Sequence, residues 1–202
     1  MPAMTDTVLA LDPARSALLV MDFQVWIVDG YAADKDALLA RTAEVIEAAR
    51  TRGMRVIYVV VGFREGYPEV SDRNSSFTQL RSTGRFAPTD AGAQVHGAIA
   101  PRGGDVIVTK HRVGAFAGTD LDMVLRAGNI ETLVLAGIAT SGVVLSTLRH
   151  AADADYRLVV VEDCCTDRDP EVHRVLMSKV FARQATVTSA KDVMAALAAR
   201  SS

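Results

Sequence analysis

Six short, nearly continuous apolar runs alternate with longer stretches of helical spacing, and this alternation narrows the possible architectures to one class. The runs are Ser16–Met21, Met54–Val61, Asp105–Thr109, Thr132–Ala136, Arg157–Val161 and Ala185–Thr188. They are rich in β-branched residues and show no polar face, as strands buried on both faces must. Helical spacing falls at Asp34–Arg52, Thr119–Ala127, Ser141–Ala154, Pro170–Phe181 and Ser189–Ala199. In the first of these, Leu38, Val45, Ile46 and Ala49 share one face, and Gly53 supplies a left-handed stop. Asp169 followed by Pro170 reads as a cap and a first-turn proline. Strand–helix alternation with right-handed crossovers predicts an α/β fold: a three-layer α-β-α, doubly wound, Rossmann-like domain on about six mainly parallel strands.

A chain of 202 residues suits a single domain over 1–202. Half the residues are hydrophobic and 23% are charged, which supports a sizeable core and argues against disorder. The net charge of −2 and the absence of a basic run point away from nucleic-acid or membrane-surface partners. The N-terminus has no basic-then-apolar leader pattern, and no apolar run approaches the roughly 18 residues of a membrane span. Cys164 and Cys165 are adjacent and cannot staple a domain, so the expected setting is cytoplasmic. The long stretch Gly62–Phe86, rich in Arg, Ser, Gly and Asn, reads as an irregular binding loop or lid.

Ligands of an open parallel sheet sit at the carboxyl ends of its strands. Asp22 ends the first strand, Lys110 the third, and Gly137–Thr140 the fourth. A carboxylate directly after a buried strand needs a partner, because desolvation is costly. Asp22 is either a cap or structural ion pair, or a general acid or base tuned by its surroundings. Lys110 is either an exposed strand-end lysine or the cation that partners Asp22. The turn after the fourth strand offers backbone N–H groups to an oxyanion or carboxylate.

These residues carry a resemblance. Asp22-Phe23-Gln24 resembles the Asp-x-Gln signature of the isochorismatase-like hydrolases, the cysteine hydrolase superfamily. The run from Lys110 through Phe116, Gly118 and Thr119 to Leu121 is similar to that family's second motif. Gly137–Thr140 with Ser146 and Thr147 is similar to the third, and Val159–Asp163 to the strand and acidic pair that follow. The likeness runs in order along almost the whole chain. It implies a hydrolase of a small carboxylated or amide-like substrate, with Asp22 and Lys110 catalytic. It also implies oxyanion or substrate binding by Ala139, Thr140, Ser141 and Gly142, with Gln24, Arg64, Tyr67 and Phe116 contributing. Arg73 joins Arg64 and Tyr67 on the loop expected to close over the substrate. The family implies a homodimer or homotetramer.

The chain departs from the pattern at one position: the family's cysteine slot falls on Val143. Valine cannot attack a carbonyl, so thiolate acyl transfer is closed at this position. Ser141, Thr140, Cys164 and Cys165 are the candidates for a substitute nucleophile. No cofactor and no metal is expected: residues 62–86 lack the histidines of the metal-binding nicotinamidase branch, and His96, His111, His150 and His173 show no ligand spacing. Protonation of a vinyl ether, the reaction of true isochorismatases, needs a positioned acid rather than a protein nucleophile. The alternative is a catalytically inactive binding or scaffold protein of the same fold. A nucleotide-binding sheet is disfavoured, since no glycine-rich phosphate loop follows the first strand.

Overall fold

Each of the six apolar runs becomes a strand of one sheet in the computed structural model, which describes residues 9–199. The N-terminal residues 1–8, part of the segment read for a leader, lie outside the described residues. The strands are β1 (Ser16–Met21), β2 (Arg55–Val61), β3 (Val106–Lys110), β4 (Thr132–Ile138), β5 (Arg157–Thr166) and β6 (Thr186–Thr188). All neighbours pair in parallel, in the order β3-β2-β1-β4-β5-β6. The order in which strands are added across the sheet reverses between β1 and β4, which is the switch point where doubly wound sheets bind ligands. Register places Leu19 between Ile57 and Leu135, so β1 is covered on both edges as well as both faces.

Alternate residues of β1 feed two separate cores. Leu18 and Val20 pack with α2 (Lys35–Thr51) through Leu38, Val45, Ile46 and Ala49, and with α7 (Ala190–Ala198) through Val193 and Leu197. Ala17, Leu19 and Met21 pack on the opposite face with Leu121 and Leu125 of α4 (Leu121–Ala127) and Leu148 of α5 (Leu145–Asp153). Each of the buried Leu, Val, Ile and Met side chains contributes roughly 1.5–3 kcal/mol. Local signals fix the helix ends: Asp34 accepts from the Ala37 N–H, Asp169 from the Glu171 N–H, and Gly53 adopts φ +70°. Among the described residues no helix is long and apolar enough to cross a membrane.

The structure corrects several boundaries. The helix expected over residues 141–154 begins as a wide turn, Thr140–Val144, broken at Gly142 (φ −98°, ψ −105°), before α5. The helix expected over 170–181 divides into α6 (Pro170–Val175), a wide turn Leu176–Val180 and a 3-10 turn Phe181–Arg183. Two helices are additional: α1 (Val25–Tyr31) directly after β1, and α3 (Ser75–Ser82) inside the stretch expected to be irregular. That stretch has its own small core of Phe63, Tyr67, Val70, Phe77 and Phe86 against Val61, so it is a packed substructure rather than a bare loop.

Candidate active site

At the end of β1 the backbone of Asp22 turns into the left-handed region (φ +61°), while its N–H stays paired to the Val59 carbonyl at 2.8 Å. Aspartate tolerates this region better than most residues, though at a cost of about 1–2 kcal/mol. The turn swings the carboxyl group across the end of β2. Lys110, at the end of the edge strand β3, reaches over β2 from the other side. Its Nζ lies 2.9 Å from Asp22 Oδ2 and donates to the Arg112 carbonyl at 3.0 Å. Lys110 is 2% exposed and Asp22 5%. Burial pushes the Asp22 carboxyl up to about 6, against the opposing charge and hydrogen bond of Lys110. Asp22 Oδ1 is buried with no hydrogen-bond partner among the described residues, which leaves a place for a proton.

The turn after β4 closes over this pair. The Ile138–Ala139 peptide is cis. Beyond it, Thr140 is fully buried and its hydroxyl is hydrogen-bonded to His173 Nδ1 at 2.8 Å. The Ser141 N–H donates to Asp167 Oδ2 at 2.7 Å and the Gly142 N–H to the Ala139 carbonyl at 3.0 Å. Two amides expected to serve a ligand thus already have partners. The loop after β3 is stitched to α5: the Ala115 N–H donates to Thr147 Oγ1 at 3.1 Å, and Phe116 stacks on His150 with ring centroids 4.4 Å apart.

A cavity of about 550 Å³ opens above Asp22 and Lys110. Of the expected site residues, it brings together Asp22, Lys110, Ala139, Gly142 and Val143 along its wall. The others are placed elsewhere. Gln24 is fully buried and spent on the backbone of Val61, accepting from its N–H at 2.8 Å and donating to its carbonyl at 2.8 Å. Arg64 pairs with Glu69, Arg73 is exposed, and the Tyr67 hydroxyl donates to the Arg85 carbonyl at 2.9 Å. Phe116 packs on α5, away from the cavity wall.

Neither cysteine lines the cavity. Cys164 and Cys165 are free and buried within the sheet, one facing each core, and burial pushes the Cys164 thiol up to about 12 and raises that of Cys165 as well. Of the acidic pair of the fifth strand, Asp163 accepts from the Ala190 N–H at the start of α7, and Glu162 is exposed. The histidines are dispersed, His111 beside the Gly62 carbonyl, His150 on Phe116 and His173 on Thr140.

The sequence reading missed most of the opposite wall. Trp26 and Tyr31 come from α1, Phe77 from α3, and Arg85 and Arg168 from the segments beyond α3 and β5. Arg168 was discoverable, since it lies just past the carboxyl end of a strand. The α1 residues carried no comparable signal, because seven residues are too few to display a helical period.

The fold agrees with the comparisons. The isochorismatase domain family matches residues 16–192. An uncharacterized isochorismatase family protein, YecD, of Escherichia coli O157:H7 is 31% identical over 94% of this chain and 100% of its own. The ureidoacrylate amidohydrolase RutB of Variovorax paradoxus is 34% identical over 77% of this chain and 70% of its own. An isochorismatase family protein of known structure from Burkholderia thailandensis superposes with a TM-score of 0.83 at 30% identity, covering 96% of this chain and 100% of that one. The chain belongs to the isochorismatase family of hydrolases.

Proposed function

We propose that this protein hydrolyses a small carboxylated or amide-like molecule by acid–base chemistry centred on Asp22, without a protein nucleophile. The observation that carries this reading is the buried Asp22–Lys110 pair at the cavity floor, with Val143 on the adjoining wall. A carboxyl group near pKa 6 can deliver and retake a proton close to neutral pH. On a vinyl ether, Asp22 in its acid form adds a proton to the terminal carbon. Water captures the resulting oxocarbenium ion and returns a proton to Asp22; the hemiketal then collapses, its C–O bond to the leaving alcohol breaking as that oxygen takes a proton and a ketone remains. On an amide, such as the substrate named for the ureidoacrylate amidohydrolase, ionised Asp22 takes the proton from a water whose oxygen adds to the carbonyl carbon, then gives that proton to the leaving nitrogen as the C–N bond breaks. In both, Lys110 keeps the carboxyl group placed and offsets developing negative charge.

Activity with isochorismate and with ureidoacrylate, measured for the wild type, Asp22→Ala and Val143→Ala, tests this. Asp22→Ala is expected to lose on the order of 10²-fold or more, whereas Val143→Ala stays within a few-fold. An equal loss in both variants overturns the reading. In the acid role, kcat/KM falls as pH rises through about 6; in the base role it rises there. A second reading, a binding protein that has lost its chemistry, is favoured by one observation: no cysteine lines the cavity. It predicts that a bound ligand is recovered unchanged. A cytoplasmic setting belongs to the same proposal, as does a homodimer or homotetramer, the latter supported by the exposed Ile107 and Met123 outside the cavity; light scattering is expected to give two or four chain masses.

A further inference from the structure

Four charged residues line the cavity: Asp22, Arg85, Lys110 and Arg168. Asp22 and Lys110 offset each other at 2.9 Å, which leaves the two guanidinium groups as the net charge of the walls. Among the described residues no carboxylate lies within 4 Å of either guanidinium. Arg168 lies over the ring of Tyr31, its Cζ 4.5 Å from the centroid. Asp167, its neighbour, is occupied by the Ser141 N–H.

Arg85 has the more elaborate seat. Its Cζ sits 4.2 Å above the centroid of Trp26. The indole N–H is held by both carboxylate oxygens of Asp90, at 3.0 and 3.1 Å. A Cβ at Gly92 would come within 1.9 Å of Trp26 Nε1, so the indole occupies space that only glycine leaves open. The backbone on either side of Arg85 is fixed as well. Its carbonyl accepts from the Tyr67 hydroxyl at 2.9 Å, and the next N–H, that of Phe86, donates to Asp90 Oδ2 at 2.7 Å. Asp90, whose carboxylate feels the charge of Arg85, is already saturated by three N–H groups, from Phe86, Trp26 and Gly92.

A guanidinium stacked on an aromatic ring keeps its edge N–H groups free for a planar acceptor, and the stacking pre-organises it. We propose that Arg85, seated on Trp26, is the specificity-determining residue that makes this cavity take anionic substrates, by binding a carboxylate at the end remote from the bond that is cleaved. The inference deepens the hydrolase reading and rests on it only for the position of the cleaved bond. The carboxylate would meet two N–H donors of Arg85 in a fork, with Arg168 adding charge from the other end of α1. A neutral analogue leaves that fork unmatched.

Trp26 is the single tryptophan of the chain, so its fluorescence reports occupancy of the cavity without any need for turnover. The experiment titrates wild type, Arg85→Gln and Arg85→Lys with maleamate and with maleamide, which differ by one carboxylate, while ammonia release is followed in parallel. The concentration giving half-saturation is expected to be about tenfold or more lower for maleamate in the wild type. Arg85→Gln should bring the two ligands to near parity, and Arg85→Lys should restore only part of the preference, since an ammonium cannot form the fork. Equal affinity for both ligands in the wild type, a preference unchanged in Arg85→Gln, or no saturable response to maleamate overturns the proposal. Maleamate preference without ammonia release supports Arg85 and counts against hydrolysis of this amide. Turnover without charge preference does the reverse.

Discussion

Asp22 and Lys110 are each expensive alone and tolerable together. Removing one partner of a buried pair typically costs about 3–5 kcal/mol, because the other is left as an uncompensated buried charge. Lys110→Met should therefore destabilise the fold by about 3 kcal/mol at pH 7, read from urea unfolding midpoints. The pH dependence of that loss identifies its cause. In the wild type, burial raises the Asp22 carboxyl from 3.8 to about 6. Between those values the folded state keeps a proton that the unfolded state releases, so the contribution of Asp22 is fully present below about 4 and is lost as pH rises through about 6. Without the lysine the carboxyl group rises further, since the two influences that lower it are gone. The deficit of Lys110→Met should thus be larger at pH 8 than at pH 5. A pH-independent deficit would mean that lost packing of the lysine stem is responsible.

At the level of elements, the strands and long helices were legible and the short helices were not. β1 and β4 are apolar throughout their interiors, β5 is apolar from Leu158 to Val161, and α2 has caps at both ends that any reading finds. α1 buries only Val28 fully, and α3 only Phe77, so neither shows a stripe. Their order comes from what they lie against: α1 on β4 and on the 3-10 turn Ala91–Ala93, α3 on Phe63. This explains why Asp22 and Lys110 were readable and the cavity wall formed by Trp26, Tyr31 and Phe77 was not. Gly92, in that 3-10 turn, is the element-scale test. Gly92→Ala places a methyl group in the space of the Trp26 ring, and overpacking of this kind costs about 1–3 kcal/mol. The expected outcome is a red-shifted Trp26 emission with a lowered unfolding midpoint; an unchanged spectrum would show that the indole does not depend on this seat.

Across the whole molecule, one sheet separates two cores, and adjacent cysteines report on both. Cys164 belongs to the core beneath α2 and α7, Cys165 to the core beneath α4 and α5. Both thiols are buried and held protonated, so neither should react with a thiol reagent at pH 8 in native buffer. In rising urea, two thiols per chain should appear together and coincide with the loss of far-UV circular dichroism, as a single cooperative unit requires. One thiol reacting early would show that the two layers open separately. The sequence by itself determined the α/β class, the strand count and the residues at the strand ends, because burial on both faces and capping chemistry are local and leave periodic traces. Only the tertiary structure decided that Lys110 crosses β2 to meet Asp22, that Gln24 is spent on the backbone of Val61, and that Arg85 stands over Trp26. Those pairings join residues far apart in the chain, and they are fixed by strand order and by short helices whose stability comes from packing rather than from their own sequence.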